Sequence, residues 1–348
     1  MSVYIKGRGA QIALANKFHR LNYQPEISNT HGEKIGKLLT KVFYESPRNI
    51  LSKNDSPDIP FTYSINPYQG CEHGCVYCYA RNSHEYWGFN ASLDFESKII
   101  AKPDAPVLLR KKFLSRSWTP QTIVMSGNTD CYQPVEKKLK ITRNLLKVFL
   151  EFGNPVGIIT KNVLVLRDMD LLTKLAKEGL VHIIFSITSL NEELRQKLEP
   201  RSSTANKKMV AINKLKEKGI PVSVMFSPVI PGLNDHEIPA MIRESSISGA
   251  DDINMTMIRL NGAIGVIFRD WLRRNFPDRE NKIINQIKSL HHGNLNESRF
   301  GYRMTGEGHL ARSIVHLFKT VRSHYYNIPR SNELNKQAFR RNSMQSLF

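Results

Sequence analysis

Three cysteines fall within eight residues, Cys71-Glu-His-Gly-Cys75-Val-Tyr-Cys78, a Cys-x3-Cys-x2-Cys spacing that follows a strand-like run. Three thiolates on one short loop can hold three corners of a four-iron, four-sulfur cube, a centre that normally takes four cysteines. The missing fourth ligand leaves one iron open to a small molecule that binds through nitrogen and oxygen. An open iron beside a bound molecule is a place for chemistry, whereas a fully ligated cube mostly carries electrons. Zinc is the competing metal, since Cys3His sites exist and His73 lies inside the triplet. However, His73 stands only two residues from Cys71 and from Cys75, tight for a tetrahedral knuckle, and there is no second Cys-x2-Cys pair. A disulfide framework fits less well. Four cysteines in 348 residues, with no secretory signal, point to a reducing compartment, where such spacing reads as metal or catalysis.

The elements that must position this loop are written in the apolar pattern. At 348 residues the chain can bury a sizeable core as one large α/β domain, and a hydrophobic content of 41% excludes wholesale disorder. Residues 61–66 read as a strand that Pro67 ends just ahead of the cysteine loop. Apolar strand-like runs recur at 122–126, 156–160, 182–188, 222–226 and 253–259, with helical patterns at 135–152, 168–178, 205–218 and 236–246 between them. Gly179 and Gly219 are fitting helix stops. Six strands alternating with helices predict a parallel sheet with right-handed crossovers, nearly all apolar because helices cover it. Six βα units fall short of the eight that close a full barrel, so a partial barrel and an open doubly wound sheet share this pattern. Beyond Asn261 the pattern turns helical at 268–275, 279–290 and 309–325. The predicted division is a basic N-terminal extension at 1–57 that wraps the main body, a core at 58–262, a helical region at 263–328 and a polar tail at 329–348 that frays.

Lys and Arg number 50 against 31 Asp and Glu, a net charge of +19 that favours a polyanionic partner through counterion release. The basic residues are spread in short clusters, such as Arg110-Lys-Lys112 and Arg273-Arg274, rather than set in one stripe or a known reading motif. Residues 1–20 contain no apolar core of signal-peptide length, and no run approaches a membrane span, so the expectation is a soluble cytoplasmic protein without a membrane partner.

The triplet, with the aromatic Tyr77 just before its last cysteine, resembles the radical S-adenosylmethionine (SAM) superfamily. The resemblance implies a partial (β/α)6 TIM-type barrel with an N-terminal extension and C-terminal helices. It also implies a [4Fe-4S] cluster on Cys71, Cys75 and Cys78 whose unique iron chelates the amino and carboxylate groups of SAM, with Tyr77 beside the cofactors. One electron, from a reductant such as flavodoxin or ferredoxin, then cleaves the sulfonium to methionine and a 5′-deoxyadenosyl radical that abstracts hydrogen. In parallel α/β barrels functional residues gather at the carboxyl ends of the strands. Here the second strand runs into Ser126-Gly-Asn-Thr-Asp130, where the superfamily often carries a Gly-Gly-Glu-like segment for the amino group of SAM. A backbone carbonyl or Asn128, Thr129 and Asp130 would have to serve, the alternative being a plain turn with Asp130 as a helix cap. Lys161 at the third strand end suits the SAM carboxylate as a point charge, and Ser186 and Thr188 at the fourth suit the ribose. Arg201 either forms a bidentate bond with a carboxylate or phosphate or caps the preceding helix. The turn at 227–235 is rigid, with apolar residues suited to flank adenine.

Within the superfamily the chain resembles the spore photoproduct lyase-like branch, also called DNA repair photolyase-like. The segments that carry this are Asn66-Pro-Tyr-Gln-Gly-Cys71, Cys78-Tyr-Ala-Arg81, Thr129-Asp-Cys-Tyr-Gln-Pro-Val-Glu136, Leu198-Glu-Pro-Arg201 and Pro228-Val-Ile-Pro-Gly-Leu-Asn-Asp235, and they cover 58–260. By position they imply Lys161, Ser186 and Thr188 as SAM contacts. In spore photoproduct lyase a cysteine at the end of the second strand returns a hydrogen atom to the substrate radical; this chain has Gly127 there. Cys131, four residues on, is either a displaced hydrogen donor, the one catalytic candidate, or an ordinary helix-start thiol. The leading expectation is a radical SAM enzyme acting on an unidentified substrate, with nucleic acid the candidate that the charge favours. The competing class is a non-catalytic nucleic-acid-binding protein whose zinc or iron–sulfur loop staples the fold.

Overall fold

The computed structural model describes residues 4–18, 38–327 and 333–341. In chain order the strands are β1 (Lys41–Tyr44), β2 (Leu51–Lys53), β3 (Tyr63–Ile65), β4 (Tyr68–Gln69), β5 (Lys98–Ala101), β6 (Ile123–Met125), β7 (Val156–Thr160), β8 (Val181–Ile187), β9 (Val222–Val229) and β10 (Ile253–Met257). The helices are α1 (Leu93–Ser97), α2 (Ala105–Leu114), α3 (Glu136–Leu139), α4 (Ile141–Phe152), α5 (Met169–Lys177), α6 (Glu192–Leu198), α7 (Ala205–Glu217), α8 (Ile238–Ile247), α9 (Ala263–Asn275), α10 (Glu280–Ser289) and α11 (Gly308–Tyr325).

The main sheet runs β10-β9-β8-β7-β6-β3-β2. From β3 to β10 every pairing is parallel and joins strands consecutive within this sheet, and β2 lies antiparallel on the far edge. These six parallel strands are the six that the apolar runs predict, and with their crossover helices they form a partial (β/α)6 barrel. Helix cover explains the composition: Val181, Ile183, Phe185 and Ile187 of β8 are buried, as are Leu145, Phe149 and Phe152 of α4 and Leu171, Leu172 and Leu175 of α5. Thr204 and Asn191 cap α7 and α6 by accepting from Lys207 N and Leu194 N. Gly179 and Gly219, both at φ 70°, close α5 and α7 in the left-handed region.

Among the described residues no strand pairing joins β10 back to β2, and side chains bridge that gap instead. Asn82 Nδ2 donates to Asn261 O at 3.0 Å while its Oδ1 accepts from Ala263 N at 3.1 Å. Asp58, in the β2–β3 connection, accepts from Gly301 N at 2.8 Å and from Arg303 Nε at 2.6 Å. A second sheet, β1-β5-β4, covers the cysteine-loop end of the barrel; its strands of two to four residues carry no periodic signal in the sequence.

Two expectations are corrected. The single helix read over 135–152 is two, α3 and α4, broken at Lys140 with φ 54°. The break lets Glu136 turn back and accept from Thr142 N at 3.1 Å and Arg143 N at 3.4 Å. The tail does not fray at 333–341, its described part. Phe339 packs against Phe113 and Phe152, and Arg340 N donates to Phe152 O at 2.8 Å. The rest of the predicted tail, 329–332 and 342–348, and residues 1–3 and 19–37 of the predicted extension lie outside the described residues. Among the described residues no helix is long and apolar enough to cross a membrane.

Candidate active site

The cysteine loop leaves β4 through Gly70, φ 78°, and turns again at Gly74, φ 69°. Its backbone is held from outside: Cys71 N donates to Phe95 O at 2.9 Å, Val76 N to Leu198 O at 3.1 Å, and Arg81 Nε to Cys75 O at 2.9 Å. The N-terminal segment presses on it so closely that a Cβ on Gly9 would lie 1.8 Å from Gly74 O. Beneath, the buried Glu96 carboxylate accepts from Gly9 N at 2.9 Å and Ala10 N at 2.8 Å and pairs with the buried Arg81. Arg8, also buried, donates to the Glu96 carbonyl and to Leu38 O.

All three cysteines are free thiols; Cys71 and Cys75 are buried and Cys78 is half-buried. Burial pushes each thiol's pKa up, helped by Asp130 at Cys71 and by Glu199 at Cys75. Such thiols become thiolates only with a cationic centre beside them, as metal ligation provides. The spacing also bears on which metal. Among the described residues, the one set of three His, Cys, Asp or Glu ligand atoms within 4.8 Å of one another is the exposed His292 with the half-buried Glu297 and Glu307. A single tetrahedral zinc would draw three sulfurs to about 3.8 Å apart. The donor set therefore fits a larger, multi-iron centre better than one ion. His73, the fourth zinc ligand in the competing reading, faces Asp130 Oδ2 at 3.3 Å and Asn162 Nδ2 at 3.3 Å.

The residues after β6 turn toward this loop and are tied to it. Ser126 takes φ 79°, a strained value for a serine, and its hydroxyl accepts from Cys131 N at 2.8 Å. Asn128 donates to Ser83 Oγ at 2.8 Å, and Thr129 Oγ1 to Gly70 O at 2.6 Å. Asp130 accepts from Thr160 Oγ1, Lys161 N and Tyr132 N, each at 2.8 Å, besides facing His73. Burial raises its pKa, but the His73 charge and these bonds outweigh it and hold the carboxyl below its ordinary value. So Asp130 clasps the cysteine loop to the ends of β6 and β7.

Three of the expected cofactor residues, Tyr77, Lys161 and Thr188, converge on one group that the sequence reading passed over, and Ser186 joins them through Lys161. Lys161 Nζ donates to Ser186 Oγ at 2.8 Å and to Glu199 Oε1 at 2.8 Å, with Thr188 Oγ1 at 3.4 Å. Tyr77 and Thr188 also donate to Glu199 Oε1, and Ser202 Oγ donates to Oε2 at 2.8 Å. Glu199 is fully buried, yet Lys161 and then Lys208, 3.8 Å away, hold its carboxyl well below the ordinary range. Lys208 itself, buried, is pulled down to about 8. Its ammonium donates to Ser186 O at 3.0 Å from behind. Glu199 lies in the Leu198-Glu-Pro-Arg201 segment, where Arg201 had drawn the reading.

Arg201 pairs with Glu72 Oε1 at 3.2 Å, and its amide donates to His73 O at 3.3 Å, so it too braces the cysteine loop. Cys131 lies fully buried in the main apolar core, its carbonyl accepting from Thr142 Oγ1 at 2.6 Å, which is the placement of a packing thiol. At Gly127 an added Cβ would meet Ser64 Cβ and Oγ at 3.1 Å.

The profile of the Radical SAM superfamily matches residues 65–244, which is 180 of the 348 residues. A Mycobacterium tuberculosis protein is 30% identical over 222 residues, 63% of this chain and 65% of that protein. A Methanocaldococcus jannaschii protein is 35% identical over 175 residues, 50% of this chain and 63% of that one. The matched region thus spans slightly less than two thirds of these curated relatives' length. A radical SAM Nα-GlyT isomerase of Pseudomonas phage M6 is 25% identical over 224 residues, 63% of this chain and 43% of that one. In fold the chain is similar to spore photoproduct lyase complexed with dinucleoside spore photoproduct, with a TM-score of 0.59, 15% identity, and 82% and 79% of the two chains covered.

Proposed function

This chain belongs to the radical SAM superfamily, whose members use a [4Fe-4S] cluster and SAM, and on that premise we propose that it is an enzyme that binds both at the mouth of its barrel. The observation that carries the reading is the convergence of three free, enclosed cysteines and a lysine–hydroxyl–carboxylate network on the same strand ends, with Tyr77 joining them. When bound and reduced, the cluster and SAM supply a 5′-deoxyadenosyl radical that abstracts hydrogen from the substrate.

The chain's own groups do the rest. Cys71, Cys75 and Cys78 would hold three corners of the cluster and leave the fourth open. Lys161 offers a cation to the SAM carboxylate, Ser186 and Thr188 offer hydroxyls to the ribose, and Asn128 and Thr129 line the amino side. Glu199 keeps Lys161 protonated: burial alone would lower the lysine's pKa, but Glu199 and then Cys75 raise it above its ordinary value. Asp130 and Arg201 brace the loop that carries the cysteines. The electron comes from a reductant such as flavodoxin or ferredoxin. The net charge of +19 favours nucleic acid as the substrate class.

Protein loaded with iron and sulfide without oxygen, then given dithionite and SAM, should release 5′-deoxyadenosine. Cys71→Ala, Cys75→Ala and Cys78→Ala should each lose the cluster's visible absorbance and that product. Equal iron in parent and variants, with no deoxyadenosine from either, would sink the reading.

A further inference from the structure

Away from Lys161, the mouth holds a cation that the site described so far does not use. Arg259 follows β10 by two residues, and its neighbours are fixed: Ile258 N donates to Val229 O at 3.0 Å and Leu260 N to Leu295 O at 2.9 Å. Its guanidinium is half-buried, and among the described residues it makes no hydrogen bond or ion pair. Burial, and then the charge of Arg303, hold its pKa below the ordinary value. The nearby carboxylate, Asp58, is already taken by Arg303 and Gly301 N. A guanidinium placed half out of water beside a second cation, with no acceptor, costs folding energy that a bound anion would recover.

The surroundings say what kind of anion. Tyr79, one residue past Cys78, reaches across the mouth and donates its hydroxyl to Gly127 O at the end of β6. Its side chain is 55% exposed, so the ring stands open to an incoming ligand. The segment bonded alongside β10 through Met257 N to Met304 O, at 2.8 Å, presents two more exposed rings, Phe300 and Tyr302. Arg303 lies over Phe300 at 4.7 Å and Arg299 over Tyr302 at 5.0 Å. Exposed rings suit stacking bases. Since Arg303 is paired with Asp58 and Arg299 with Glu297 and Glu307, Arg259 is, among the described residues, the cation of this rim left to meet a phosphate. A planar guanidinium fork matches the two free oxygens of a phosphodiester.

We propose that Arg259 is an anion subsite for a backbone phosphate of single-stranded nucleic acid, whose bases stack on the Phe300–Tyr302 segment as the strand enters the mouth. The inference rests on the radical reading above, because it names the substrate class for that same mouth. It assigns Arg259 to substrate binding and not to the cofactors.

The test is fluorescence anisotropy of a labelled single-stranded oligodeoxynucleotide with the cluster-loaded protein over a series of salt concentrations. Arg259→Gln should bind roughly 10- to 100-fold more weakly, the loss of one charge-assisted contact. The slope of log affinity against log salt should flatten by about 0.7. Arg259→Lys should fall between, and Phe300→Ala, on an exposed ring, should also weaken binding. Lys207→Gln, on the exposed face of α7, should change neither binding nor SAM cleavage. If Arg259→Gln and Phe300→Ala, both with the parent's iron content, bind as the parent does, the inference is overturned. Deoxyadenosine release by the parent without oligonucleotide reports on the radical reading separately. A parent that releases it but ignores the strand overturns this site alone. One that binds the strand through Arg259 but releases none overturns the radical reading alone.

Discussion

Two fully buried carboxylates, Glu96 and Glu199, flank the cysteine loop, and they are used in opposite ways. On the outer side Glu96 accepts from two backbone amides and from Arg81, whose other donors go to the carbonyls of Cys75, Ala91 and Ser92. Backbone donors cannot leave without unfolding the segment, so this side is an anchor. On the inner side Glu199 accepts from side chains, Tyr77, Lys161, Thr188 and Ser202. Side chains can exchange partners by rotation, so this side can hand Lys161 and the hydroxyls to an incoming ligand. The loop is thus fixed where it meets the protein and adjustable where it meets the chemistry.

The contrast can be broken most forcefully at Glu96. Glu96→Ala would strand the buried Arg81 and two amides, and should cost about 3–5 kcal/mol in urea unfolding of the cluster-loaded protein. A loss below about 1 kcal/mol would mean that the outer side anchors nothing. The inner side is sharpened by Lys161→Met. It should weaken SAM binding roughly 10- to 100-fold by equilibrium dialysis, equivalent to about 1.5–3 kcal/mol, while the iron content stays at the parent's level. Loss of iron instead would make Lys161 part of the anchor.

The mildest test uses His84, also on the outer side. It packs between Phe89 and Phe95 with neither ring nitrogen bonded, and burial pulls its pKa down to about 4. Since the unfolded histidine takes up a proton near 6.5 and the folded one only near 4, its contribution to stability is complete above 6.5 and lost as the pH falls toward 4. By pH 5 that loss is about 2 kcal/mol. His84→Phe should remove this share of the acid sensitivity, read as a smaller drop in Tm between pH 7.5 and 5 than the parent shows. An unchanged drop would mean that the outer side is wetter than the packing implies.

The six parallel strands were legible because each is a short apolar run between a helical stretch and a turn, a pattern set by burial on both faces. The cysteine triplet was legible as a candidate metal site because its spacing is local. What stayed hidden depends on partners far along the chain. Nothing near Lys140 announces its left-handed turn, which serves the Glu136 carboxylate and, through it, Tyr68 and Arg167. Asp130 was read from its strand-end position alone, and its bonds to His73 and Thr160, which tie the cysteine loop to β7, depend on residues far along the chain. Arg201 drew attention as a cation, whereas its neighbour Glu199 proved to be the hub. The tail looked featureless because one ring, Phe339, seats it.

The bonds from Asp58 to Gly301 and Arg303 close the gap between the first and last strands over a sequence separation of about 245 residues. Each βα unit of the barrel closes a loop of only about 25 to 60 residues, so this join demands roughly 1 to 2 kcal/mol more chain entropy than the steps of the ladder. The rim that carries Arg259 and the exposed rings is therefore the wall of the barrel that folding favours least. A strand of nucleic acid laid across both lips would act there as a rivet, lending stability at the place where the polypeptide has least to spare.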